Sequence, residues 1–97
     1  MKREIKFGER SALLSVGENR AMLTTRETSL PVALADEINE AQDVTVTEVT
    51  IMDNKEYIIR IVHDLPKNDV LDIVCEAISS VYDVDTSVSY ARSENAV

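Results

Sequence analysis

The sequence predicts an α+β domain: a mainly antiparallel sheet with two helices packed on one face, in the order β-β-β-α-β-β-α-β. Short stretches with apolar residues at every second position, separated by turn residues, predict the strands. Two longer segments place apolar residues one helical turn apart, and each follows a proline that suits a first helical turn. Hairpins and helices in this order favour an antiparallel sheet over a parallel one.

Taken in order, Arg3 to Phe7 sets Ile5 and Phe7 two apart around Lys6 and reads as a strand, with Gly8-Glu9-Arg10 as a turn. Ala12 to Val16 and Ala21 to Thr25 bracket Gly17-Glu18-Asn19-Arg20, where Gly and Asn tolerate the positive φ of a hairpin, completing a three-stranded meander. Thr28 or Ser29 then offers an N-cap to a helix with Pro31 in its first turn, Leu30, Leu34, Ile38 and Ala41 along one face, and an end near Gln42.

Val44 to Met52 carries Val44 and Val46 in one strand phase and Val49 and Ile51 in the other, so a bulge is expected near Thr47-Glu48. Asp53-Asn54-Lys55 is a turn. The Tyr57 to Val62 strand is apolar in both phases, which predicts burial on much of both faces. Asp64 is expected to cap a second helix with Pro66 in its first turn, apolar Val70, Val74, Ala77, Ile78 and Val81, and an end near Tyr82. Val84 to Tyr90 alternates as a last strand. The domain is read as residues 1–91, with 92–97 as a flexible tail. Leu30-Pro31 and Leu65-Pro66, and again Asp43-Val44 and Asp83-Val84, form a faint internal echo of two hairpin-helix units.

Composition narrows the function classes. A chain of 97 residues makes one domain with one core, and with only four aromatic rings that core is aliphatic. The single Cys75 forms no internal disulfide and no cysteine metal cluster, so the cytoplasm is the expected compartment. No apolar run approaches a membrane span. A net charge of -8 disfavours direct contact with nucleic acid or anionic membranes.

The charge is segregated. Residues 1–30 hold six bases and four acids, whereas residues 31–97 hold fourteen acids and four bases. The first helix carries Asp36, Glu37, Glu40 and Asp43 away from its apolar stripe; the second carries Asp69, Asp72 and Glu76, with Asp83 continuing the row. Like charges one turn apart destabilise a helix by about 0.2–0.5 kcal/mol per pair. Folding alone favours interleaved lysines, so these eight acids are the candidate partner-binding residues, expected to dock on a basic protein surface. Carboxylates about 5–6 Å apart at Cβ imitate a row of phosphates for a groove that otherwise holds nucleic acid. The competing expectations are a purely solubilising surface and a structural, self-assembling domain that pairs through an exposed edge strand.

Other chemistries find less support. The acids lie on regular helices without the glycine of a calcium loop, so no metal or other cofactor is expected. His63 beside Asp64, with Cys75 as nucleophile, is the one enzymatic alternative; no third element completes it, and a strand-end surface position for His63 and an apolar helical setting for Cys75 are expected instead. Lys2, Lys6 and Arg10 suggest a shared basic surface, without exposed aromatics for base stacking. No motif leads to a family. The chain is similar in size and charge alone to small acidic α+β proteins, including phage-encoded ones, that inhibit nucleic-acid enzymes.

Overall fold

The computed structural model describes residues 1–26 and 29–90. The proposed Thr28 cap and the 92–97 tail lie outside the described residues. The elements are β1 (Lys2–Phe7), β2 (Arg10–Val16), β3 (Arg20–Thr25), α1 (Pro31–Asn39), β4 (Val44–Ile51), β5 (Tyr57–His63), α2 (Lys67–Tyr82) and β6 (Thr86–Tyr90), in the predicted order. The strands form one fully antiparallel sheet ordered β4-β5-β3-β2-β1-β6. Both helices lie on one face, α1 over β4 and β5 and α2 over β2, β1 and β6, in contact with each other.

Period-two alternation sorts each strand between the two faces. Ile5, Phe7, Leu14, Val16, Leu23, Tyr57, Ile59 and Ile61 point under the helices and are buried with Leu34 and Ile38 of α1 and Val70, Val74 and Ile78 of α2. The opposite face is bare of helices. Val62 there is 43% exposed and Ile58 half-buried, so β5 is buried on one face rather than both. Its apolar outward residues are not core.

The expected bulge is present: Val46 pairs with Ile61 and Glu48 with Arg60, leaving Thr47 as the extra residue. The single insertion reconciles the two phases, so Val44, Val46 and Val49 all face the helices. Gly8 has φ +66° at the first central position of the two-residue β1–β2 turn, the place a type II′ turn assigns to glycine. Gly17 and Asn19 do not use positive φ, contrary to expectation. The β2–β3 turn is closed instead by the Gly17 N–H donating to the Arg20 carbonyl at 2.7 Å.

Helix ends depart most from the sequence reading. The N-cap of α1 is Leu30, with φ 66° and no side-chain cap, and the helix stops at Asn39 rather than near Gln42. Asp64 does not cap α2; the N-cap is Pro66, whose carbonyl accepts from the N–H groups of Asp69 and Val70. In both cases proline geometry and backbone bonds take the place of a polar cap. Asp43 and Asp83 both adopt positive φ, 64° and 54°, where the chain leaves each helix for the next strand. The echo stops there: α1 connects parallel β3 and β4 across β5 alone, while α2 connects β5 to β6 across β3, β2 and β1.

Candidate functional site: an acidic cleft between two helices

The eight predicted acids separate into groups once their backbone settings are known. Asp43 and Asp83 hold left-handed turn positions, which Asp and Asn tolerate better than most residues. Asp69 is in the first turn of α2, where a carboxylate is favoured by the positive end of the helix dipole. These three have a local reason to be acidic. Asp36, Glu37, Glu40, Asp72 and Glu76 do not.

Glu37 lies in the last turn of α1 and Glu40 is its C-cap residue, with no basic residue in that turn. Both carboxylates therefore sit at the negative end of the helix dipole, against its preference. Across from them, Glu76 lies in mid-α2. Glu37, Glu40 and Glu76 line one cleft of about 380 Å³ between the helices, floored by Ala41, Ile73 and Ala77 and flanked by Ser80. Asp36 and Asp72 are exposed one helical turn before Glu40 and Glu76 and do not line the cleft. Asp83 belongs elsewhere, beside Gly8, Ser79, Val84 and Asp85 in a separate hollow.

Among the described residues the recorded ion pairs are Arg26 Nε to Glu56 at 3.1 Å and Arg60 Nε to Glu48 at 3.5 Å, and neither uses any of the eight acids. The N-terminal bases do not fold over to neutralise them. Lys2 and Lys6 share the helix-free sheet face, while Arg10, paired opposite Phe7, is turned to the helix side with its guanidinium 5.6 Å from the Tyr82 ring centroid. The expected Lys2, Lys6 and Arg10 surface is thus divided between two faces. Arg3 is likewise on the helix side, 4.2 Å from the centroid of its cross-strand partner Tyr90.

His63 is not at the surface, as expected from its strand-end position, but 3% exposed. Its Nε2–H donates to the Gly17 carbonyl at 3.0 Å and its Nδ1 accepts from the Leu65 N–H at 3.2 Å, which fixes the neutral tautomer and uses both nitrogens. Cys75 is half-buried on α2 and hydrogen-bonded with the side chain of Thr86 at the start of β6. Burial pushes its thiol pKa up, and the carboxylates of Asp72 and Glu76 add to that rise against the opposing Thr86 hydrogen bond. Strands β5 and β6, to which the two side chains are tied, are four strand spacings apart, about 19 Å at ~4.8 Å each. The structure does not bring His63 and Cys75 together.

A tyrosine chain escaped the sequence reading. The hydroxyls of buried Tyr57 and half-buried Tyr82 are 2.9 Å apart, and the Tyr82 O–H donates to the Ser29 carbonyl, tying the approach to α1 to the end of α2. The Phe7 and Tyr82 rings meet at a tilt of 40° with centroids 5.2 Å apart. Among the described residues no group of three or more His, Cys, Asp or Glu side chains is placed to hold a metal ion. Among the described residues no helix is long and apolar enough to cross a membrane. No protein-family model matches the chain, and neither the curated proteins nor the solved structures give a significant match.

Proposed function

We propose that the chain is a non-enzymatic, cytoplasmic interaction protein whose acidic helix layer binds a basic protein surface, the partner class being proteins that otherwise hold nucleic acid. One observation carries this reading. Glu37, Glu40 and Glu76 converge from two helices on one cleft, unneutralised by the ion pairs recorded among the described residues, and two of the three oppose their own helix dipole. Charge held in a locally unfavourable place is what a binding surface requires and a solubilising one does not. Asp36 and Asp72 lie one helical turn before Glu40 and Glu76, so that along each helix a lysine- and arginine-lined groove meets carboxylates at about 5–6 Å intervals, as it would meet phosphates. Binding of this kind inhibits by occupancy and requires no cofactor.

The test is affinity capture from the source cell at low and moderate salt, comparing the parent with a Glu37→Gln, Glu40→Gln, Glu76→Gln variant whose fold is checked by circular dichroism. Capture that weakens with salt and is lost in the variant supports the reading. Capture that survives neutralisation unchanged would reduce the acids to solvation. A second reading, a self-assembling structural domain, draws on β6, an edge strand that leaves Val88 and Tyr90 exposed, the latter 80%. Sedimentation separates the two, because a stable oligomer indifferent to moderate salt favours strand pairing.

A further inference from the structure

The helix-free face of the sheet carries its own charge pattern, opposite in sign to the helix layer. Lys2, Lys6, Arg20 and Arg60 point to it, against Glu4 and Glu48. The register places the two arginines specifically. Arg20 of β3 pairs with Val62 of β5, and Met22 of β3 pairs with Arg60 of β5. The four side chains form a checkerboard with guanidiniums on one diagonal and apolar groups on the other. Diagonal neighbours in an antiparallel pair lie about 7–8 Å apart, within reach of two long arginine side chains converging on one group.

This checkerboard floors a hollow of about 500 Å³, the size range of small-molecule sites. Its walls come from two irregularities of the sheet. Gly17, from the β2–β3 turn, and Thr47, the bulged residue of β4, both line it, with Ser15 beside Met22 extending the floor. Bulges bend and twist the strand that carries them, and here the bulged Thr47 lines the hollow from the β4 side. Arg60 meets Glu48 through Nε at 3.5 Å with both side chains 55% exposed, a pair too solvated to contribute much. Arg20 takes part in neither ion pair recorded among the described residues.

We infer that this hollow binds a small amphipathic anion, a carboxylate or phosphate monoester on an apolar body, with Arg20 and Arg60 on the anionic head and Met22 and Val62 against the body. An anion seated between the two guanidiniums accepts charge-assisted hydrogen bonds from both, and the solvated Glu48 contact of Arg60 is a weak competitor. Size and sign both select a small ligand. The net charge of -8 repels an extended acidic macromolecule, whereas a single head group is governed by charges within about 8 Å, the screening length at physiological ionic strength. The site is independent of the acidic cleft, which lies on the other side of the sheet.

The experiment titrates the full chain with octanoate, octyl phosphate, octanol and inorganic phosphate, using calorimetry for affinity and amide chemical shifts for location. Octanoate or octyl phosphate is expected to bind with shifts centred on Ser15, Met22 and Val62, and whichever binds more tightly identifies the head group. Arg20→Gln or Arg60→Gln is expected to weaken binding about tenfold or more each, as loss of a charged hydrogen-bond partner does. Both residues are exposed, so folding is not at risk. Octanol binding equally well, inorganic phosphate binding equally well, shifts mapping elsewhere, or no binding by any probe would each overturn the inference. So would self-association of the parent that either arginine variant abolishes, since the face would then belong to a second copy.

Discussion

His63 and Gly17, 46 residues apart, are joined by a 3.0 Å hydrogen bond from the buried imidazole to the turn carbonyl. The backbone reinforces it: the His63 N–H donates to the Asn19 carbonyl at 2.9 Å and the Asn19 side chain returns a bond to the His63 carbonyl. The turn between β2 and β3 is thus held by the end of β5 and by no special conformation of its own residues. His63→Ala removes a ring that is 3% exposed and leaves the Gly17 carbonyl and the part-buried Leu65 N–H without their side-chain partner. Urea denaturation is expected to show a loss of about 2–4 kcal/mol. A loss below about 0.5 kcal/mol would mean that the ring fills space and nothing more.

The Tyr57 and Tyr82 hydroxyls form a relay to Ser29, so their removal is expected to be non-additive. Tyr82→Phe strands the Tyr57 hydroxyl and costs about 1–2 kcal/mol, while Tyr57→Phe removes one bond and costs about 1 kcal/mol. A double-mutant cycle on thermal or urea unfolding should give a coupling of about 0.5 kcal/mol or more. Strict additivity would contradict a shared network.

Asp83 terminates α2 with φ 54°. Asp83→Gly or Asp83→Asn is expected to leave stability within about 0.5 kcal/mol, and Asp83→Val to cost about 1–2 kcal/mol, because a β-branched residue resists this backbone region. Equal effects of Gly and Val, read by thermal unfolding, would show that charge matters there and conformation does not.

Cys75 should be a slow nucleophile. Its pKa is raised by burial and by Asp72 and Glu76, so at pH 8 iodoacetamide is expected to alkylate it more slowly than a free thiol in an unfolded peptide. Asp72→Asn with Glu76→Gln lowers the pKa toward the ordinary value and should speed the reaction. The linked stability effect has a definite sign. The thiol ionises more readily unfolded than folded, so this group's contribution is fully present below the ordinary thiol pKa and is lost as pH rises through and beyond it. An alkylation rate unchanged in the double variant would detach Cys75 from the acidic face.

Glu40 is expected to trade stability against binding. Glu40→Gln removes a carboxylate from the negative end of α1 and should raise unfolding stability by about 0.3–1 kcal/mol while weakening capture of the basic partner. Lower stability in the variant would mean that Glu40 has a structural task the cleft geometry does not reveal.

Much of this architecture is legible along the chain because burial on one face imposes periodicity. The switch of phase between Val46 and Val49 located the bulge, and Ile5, Phe7 and Leu14 declared the core face. Helix ends were less legible, since Leu30 and Pro66 terminate helices through backbone geometry and not through the polar caps that Ser29 and Asp64 advertised. His63 was misplaced because the partner that buries it is a turn far away in sequence. Of the acidic residues, sequence spacing found the rows but not their division. Only packing of α1 against α2 selects Glu37, Glu40 and Glu76, and only strand register sets Arg20 diagonal to Arg60.

The place of β1 between β2 and β6 has a consequence for the order of folding. Arg3 pairs with Tyr90, so β1 acquires its second neighbour only when β6, more than eighty residues later, has been synthesised. Until then β1 offers an open edge, and closing it requires bringing together residues nearly a full chain length apart. The meander and the β4–β5 hairpin can form early from local contacts, whereas docking of β6 is the slow, late event expected of distant strand pairing. A nascent chain stalled before Thr86 would present β1 as a template for strand addition by another molecule.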